Sequence, residues 1–189
     1  SLKEAVIKGL APDKGLYMPE YLPELPKAFF DNIAKMSLQE MSSVVAEALF
    51  GDDIEPETLK RIVYDTLSFD IPIHHVAKNR YTLELYHGPT LAFKDVGARF
   101  MARMLGYFNA KDEDKRPVNV LVATSGDTGS AVANGFLGVE GVHVYVLYPK
   151  GKVSEIQESQ FTTLGRNITA LEVEGTFDDC QALVKSAFM

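Results

Sequence analysis

Val118-Asn119-Val120-Leu121-Val122-Ala123-Thr124-Ser125-Gly126-Asp127-Thr128-Gly129 reads as a strand running into a turn that opens a helix. Val118 to Thr124 is almost continuously apolar, the texture of a strand covered on both faces of a parallel sheet. The small residues from Gly129 to Leu137 then predict a closely packed helix. Outward from this stretch the same alternation repeats. Tyr81 to Tyr86 reads as a strand and Asp95 to Asn109 as a helix, with Val96, Phe100, Met104 and Leu105 on one face. Val142 to Tyr148 is the next strand, and Ser154 caps a helix with Gln157 three residues on. Ile168 to Val173 is a strand, and Thr176 with Asp179 caps a last helix. This order predicts an α/β fold, a parallel sheet flanked by helices, with connections of a few residues.

Upstream the texture differs. Pro12, Gly15, Pro19, Pro23 and Pro26 break regular structure. Ser37-Leu38-Gln39-Glu40 is a capping box, followed by an apolar stripe of Leu38, Met41, Val45, Ala48 and Leu49. Pro56 suits the first turn of a helix to about Leu67, and 73–79 reads as a connector. The expected division is a mainly helical region over 1–78 and an α/β region over 79–189.

Hydrophobic residues make up 46% of the 189 and charged residues 24%, as in ordinary globular proteins. The formal net charge of -7 disfavours nucleic-acid binding, and no apolar run is long enough for a membrane span. The single cysteine, Cys180, forms no internal disulfide, so a cytoplasmic location is expected. His74 and His75 are adjacent and point apart, with no cysteine or carboxylate at ligand spacing, so no metal site is expected.

A second motif, His87-Gly88-Pro89-Thr90-Leu91-Ala92-Phe93-Lys94-Asp95, also joins a strand to a helix. Strand-to-helix turns on one parallel sheet open on the same edge, so Lys94 is expected to face the Ser125–Gly129 loop. Read locally, Lys94 is either a surface lysine paired with Asp95 or an amine that the positive end of a helix favours for Schiff-base formation. The loop is either a structural helix cap or a cradle of amides and hydroxyls for an anion. Lys152, in Pro149-Lys150-Gly151-Lys152-Val153-Ser154, is either solvated or a clamp for a phosphate. His87 borders the lysine turn, and Arg99 either packs towards it or pairs with a surface carboxylate.

Both motifs resemble those of threonine synthases, pyridoxal-phosphate enzymes of the tryptophan-synthase β fold type. Gly97-Ala98-Arg99-Phe100-Met101 continues the likeness, and so do Lys8-Gly9-Leu10-Ala11-Pro12 and Gly15-Leu16-Tyr17-Met18-Pro19 near the start. The resemblance implies that Lys94 binds pyridoxal 5'-phosphate and moves protons on the substrate. It implies that Ser125, Gly126, Thr128 and Gly129 grip a substrate α-carboxylate, that Asp127 lies near the cofactor, and that Lys152 holds a substrate phosphate. The implied reaction turns O-phospho-L-homoserine and water into L-threonine and phosphate. A phospho-lyase that releases phosphate without making threonine would use the same residues. The family's glycine-rich loop for the cofactor phosphate and its partner for the ring nitrogen have no counterpart before Met189. The expectation is therefore the N-terminal portion of a larger enzyme, inactive as it stands.

Overall fold

Ser37 and Glu40 show how strongly local chemistry sets the helix ends. The Ser37 hydroxyl accepts from the Glu40 amide at 3.2 Å, and the Glu40 carboxylate accepts from the Ser37 amide at 2.7 Å. The computed structural model describes residues 1–13, 15–114 and 116–188. It divides into two units, Ser1–Phe69 and a second from Asp70 onward.

The first unit holds α1 (Leu2–Lys8), α2 (Lys27–Asn32), a 3-10 turn (Ile33–Lys35), α3 (Leu38–Phe50) and α4 (Pro56–Thr66). Pro56 opens α4, where its missing N–H costs nothing. Leu59, Ile62, Val63 and Thr66 form the buried stripe of α4, which packs on α3. The stripe expected on α3 is only partly turned inward. Val45 and Leu49 are exposed, and the small Ala46 is its buried residue.

The second unit is built on a three-stranded parallel sheet ordered β3 (Val118–Ala123), β4 (Val142–Pro149), β5 (Ile168–Val173). Its register sets Val120 beside Val144 and Val144 beside Ile168. Val142, Val144 and Val146 of the central strand are buried. Around the sheet lie α5 (Lys94–Ala110), α6 (Asp127–Phe136), α7 (Glu155–Thr162) and α8 (Phe177–Ser186). Tyr148 meets Phe161 of α7 edge-on, with ring centroids 5.1 Å apart. Helices α5 and α6 pack backbone to backbone, since a Cβ on Gly135 would lie 3.0 Å from the Ala98 carbonyl. Cys180 of α8 is fully buried, and burial pushes its thiol pKa up.

One strand is not where the alternation put it. The segment expected to be a connector is β1 (Ile73–Ala77), which pairs antiparallel with β2 (Arg80–Leu83). The stretch read as a strand over 81–86 is therefore shorter, and it belongs to an exposed two-stranded ribbon rather than to the parallel sheet. Lys78, at φ 46°, lets the chain reverse within two residues without the glycine that usually signals such a turn.

Candidate active site

The lysine motif begins with a tight reversal. Pro89 presets φ, and the Leu91 amide donates to the Gly88 carbonyl at 3.1 Å. Lys94 is the first residue of α5. Its ammonium does not pair with Asp95. Instead Nζ lies 4.6 Å from the centre of the Phe93 ring, half-buried, with no carboxylate partner among the described residues. Asp95 faces inward and bonds to Thr90. Successive helix residues point in different directions, which explains why adjacency in sequence makes no ion pair here.

Before the motif, His87 Nε2 lies 2.7 Å from Glu84 Oε2 and its ring stacks on Tyr86. Hydrogen bonding to His87, then to Tyr86, holds the Glu84 carboxyl below the usual range. His74 lies 3.7 Å from the same carboxylate, and no group of three or more metal-ligating side chains comes together among the described residues.

The glycine loop is organised by Thr124, which the sequence reading passed over. Its hydroxyl, fully buried, accepts from the Gly126 amide at 2.9 Å and the Gly129 amide at 2.8 Å, and donates to the Gly126 carbonyl. It therefore caps α6 from two residues before the N-cap, Gly126, which has no side chain to do so. Gly126 has φ 149° and ψ -95°, a conformation for glycine alone. Gly129 has no room for a Cβ, which would sit 2.4 Å from Thr124 Cγ2. With Thr124 satisfying those two amides, the amides of Ser125, Asp127 and Thr128 donate to no protein acceptor among the described residues. The Ser125 and Thr128 hydroxyls are also without a protein partner there, and Ser125 is exposed. Free amides at a helix start form a receptor for an anion.

Helix α7 touches both motifs. Gln157 Nε2 donates to Asp127 Oδ1 at 2.6 Å, and its Oε1 accepts from Ser154 at 2.8 Å, which fixes the amide's orientation. One turn on, Gln160 Nε2 reaches the Thr90 carbonyl at 3.5 Å. Ser130 and Asn134 of α6 donate to the carbonyls of Gln157 and Gln160. The lysine turn and the loop are thus tied through α7, beside the direct packing of α5 on α6, and the strand before the lysine turn is not in the parallel sheet where the sequence put it.

Lys152 follows β4 and is exposed. Its charge helps lower the pKa of Asp179, which hydrogen bonds from Thr176 lower first and most. Lys150, beside it, is engaged by Glu174 and Glu172. A cleft of about 410 Å³ at the opposite, amino-terminal edge of the sheet is lined by Arg166, Asn167, His143 and neighbours. It is remote from both motifs, and Asn167 there is fully bonded to Gly138, Phe136 and Val142.

Residues 1–67 match the family model described as threonine synthase N terminus. The threonine synthase of Escherichia coli K12 is 46% identical across all of this chain, which spans 43% of that relative's length. That of Saccharomyces cerevisiae is 39% identical, again over the whole chain and 40% of the relative. The chain is similar, from end to end, to the N-terminal portion of threonine synthases. Solved structures agree. The Escherichia coli threonine synthase superposes with a TM-score of 0.87 at 45% identity, over all of this chain and 43% of that one. A threonine synthase from Brucella melitensis with bound PLP gives 0.91 at 36% identity, covering 41% of that chain. The α/β fold with a helical N-terminal region is therefore the threonine synthase fold over this span.

Proposed function

We propose that the chain is the N-terminal part of a threonine synthase that uses pyridoxal 5'-phosphate to convert O-phospho-L-homoserine and water into L-threonine and phosphate. The observation that carries this reading is the likeness to threonine synthases along every part of the chain.

The residues present suit their share of such a site: among the described residues, Lys94 offers an amine engaged only with the Phe93 ring, and the Ser125–Thr128 loop offers free donors. Pyridoxal phosphate, when bound, supplies the electron sink that lets a proton leave the amino acid's α-carbon. Lys94 Nζ would hold the cofactor and would take and return protons at the substrate carbons. The amides of Ser125, Asp127 and Thr128, with the Ser125 and Thr128 hydroxyls, hold the α-carboxylate. Gly126 and Gly129 let the backbone come close to it. Asp127, steadied by Gln157, would face the cofactor, and Lys152 would hold the substrate phosphate. We infer a cytoplasmic setting, in which the free thiol of Cys180 stays reduced.

Incubating the full-length protein with O-phospho-L-homoserine and pyridoxal phosphate should release phosphate and L-threonine in equal amounts. Phosphate without threonine would make it a phospho-lyase. The 189-residue chain alone should release neither at about one per second or faster, a rate ordinary for enzymes. Such turnover would mean that the site is complete within it.

A further inference from the structure

Asp95 has no role in the reaction proposed above, yet it is a carboxylate only 1% exposed. Among the described residues, all its side-chain bonds run to one residue. Oδ2 accepts from the Thr90 amide at 2.9 Å and Oδ1 from the Thr90 hydroxyl at 2.6 Å. Thr90 is buried as well. Gly88 closes the third side, because a Cβ there would lie 2.5 Å from Asp95 Oδ2. Like Glu40 and Asp179, Asp95 bonds backwards from the first turn of its helix, but it reaches past the N-cap residue Phe93, which contributes no side-chain cap, to Thr90 five residues earlier.

The loop so closed is under constraint. Leu91 has φ 58°, a left-handed conformation that a leucine adopts only where its surroundings impose it. Its side chain is 71% exposed, so packing is not the cause. The bonds around it are: its amide is held by Gly88, and Thr90 is held by Asp95.

We propose that Asp95 is a positioning residue for Lys94: with Thr90 it closes the turn into a rigid ring and so fixes the direction in which the Lys94 amine points. The proposal rests on the assignment of Lys94 as the amine that holds the cofactor. Lys94 lies inside the closed segment, one residue before the carboxylate that locks it. Misplacing a reacting atom by about 1 Å costs on the order of a hundredfold in rate.

The test uses the full-length protein and the variants Thr90→Val, Thr90→Ser and Asp95→Asn. Each is treated with pyridoxal phosphate, reduced with borohydride at short times, and mapped by peptide mass spectrometry. Thermal unfolding is followed in parallel. Wild type and Thr90→Ser should label Lys94 fastest. Thr90→Val and Asp95→Asn should label Lys94 roughly ten- to a hundredfold more slowly, with unchanged rates at other lysines and cooperative unfolding. Labelling of Lys94 at the wild-type rate in Thr90→Val would overturn the proposal, as would an equal loss at every lysine or a loss in Thr90→Ser too. Should Asp95→Asn fail to fold, the Thr90 pair decides alone. Wild-type label on another lysine would instead overturn the assignment of Lys94, and the positioning role with it.

Discussion

Gln157 and Asp127, thirty residues apart in sequence, are joined by a hydrogen bond of 2.6 Å that ties the start of α6 to α7. Gly126 lies directly beneath that amide, where a Cβ would come within 2.6 Å of Gln157 Oε1. Gly126→Ala therefore meets both a forbidden φ and a collision. It should destabilise the protein by about 1–3 kcal/mol, read as a lowered midpoint in urea unfolding. Gln157→Ala in the same background should recover part of the loss by removing the collision. No recovery would show that backbone strain alone is responsible.

Thr124 and Gly129 make a second, tighter pair. Thr124→Val keeps the shape but leaves the Gly126 and Gly129 amides without their acceptor, at a cost of about 1–3 kcal/mol. Gly129→Ala drives a methyl against Thr124 Cγ2 and Val146, an overpacking worth about 1–3 kcal/mol. Because the two sites touch, the double variant should depart from the sum of the singles. Strict additivity in a double-mutant cycle would argue against this packing.

Acid should unfold the chain by way of its capping carboxylates. Glu40 is held below its ordinary pKa by the Ser37 amide and then the Ser37 hydroxyl, and Asp179 by the same two groups of Thr176. A carboxylate with a depressed folded pKa adds stability above its unfolded pKa and loses it as pH falls through the folded one. Their contribution should thus be constant above about pH 5 and fade below about pH 4. Glu40→Gln with Asp179→Asn should flatten this part of a pH series of melting temperatures, and an unchanged slope would assign the acid sensitivity elsewhere.

Lys152→Ala in the full-length protein should weaken O-phospho-L-homoserine by roughly ten- to a hundredfold, the worth of a charge-assisted contact of about 1.5–3 kcal/mol. An analogue without the phosphate should be little affected in competition assays. Equal losses for both would leave Lys152 only its influence on Asp179.

What the sequence disclosed was mostly local. The capping pairs Ser37/Glu40, Ser154/Gln157 and Thr176/Asp179 all form, since each is complete within four residues. The apolar run at 118–123 and the segment read as a strand at 168–173 are both strands of the parallel sheet, read from local composition without a distant partner. Strand β1 and its pairing with β2 escaped because Lys78-Asn79 is a turn without glycine and β1 is exposed on both faces, so no alternation of buried and exposed residues marks it. Asp95 looked like the natural partner of Lys94, and only the fold turns it towards Thr90. Gln157 and Gln160 gave no signal beyond the Ser154 cap, because their bonds to Asp127 and Thr90 span 30 and 70 residues. A threonine two places before a glycine N-cap, as Thr124 is, is a signal that could have been sought.

The spacing of Gln157 and Gln160, one turn apart on a single rigid helix, bears on motion as well as on geometry. A slide or tilt of α7 would therefore move the turn at Thr90 and the start of α6 in the same direction. The spacing between those two segments would then vary less than the position of either. Under the function proposed above, a substrate anchored at its carboxylate would keep its α-carbon in register with the Lys94 amine while the surrounding protein breathes.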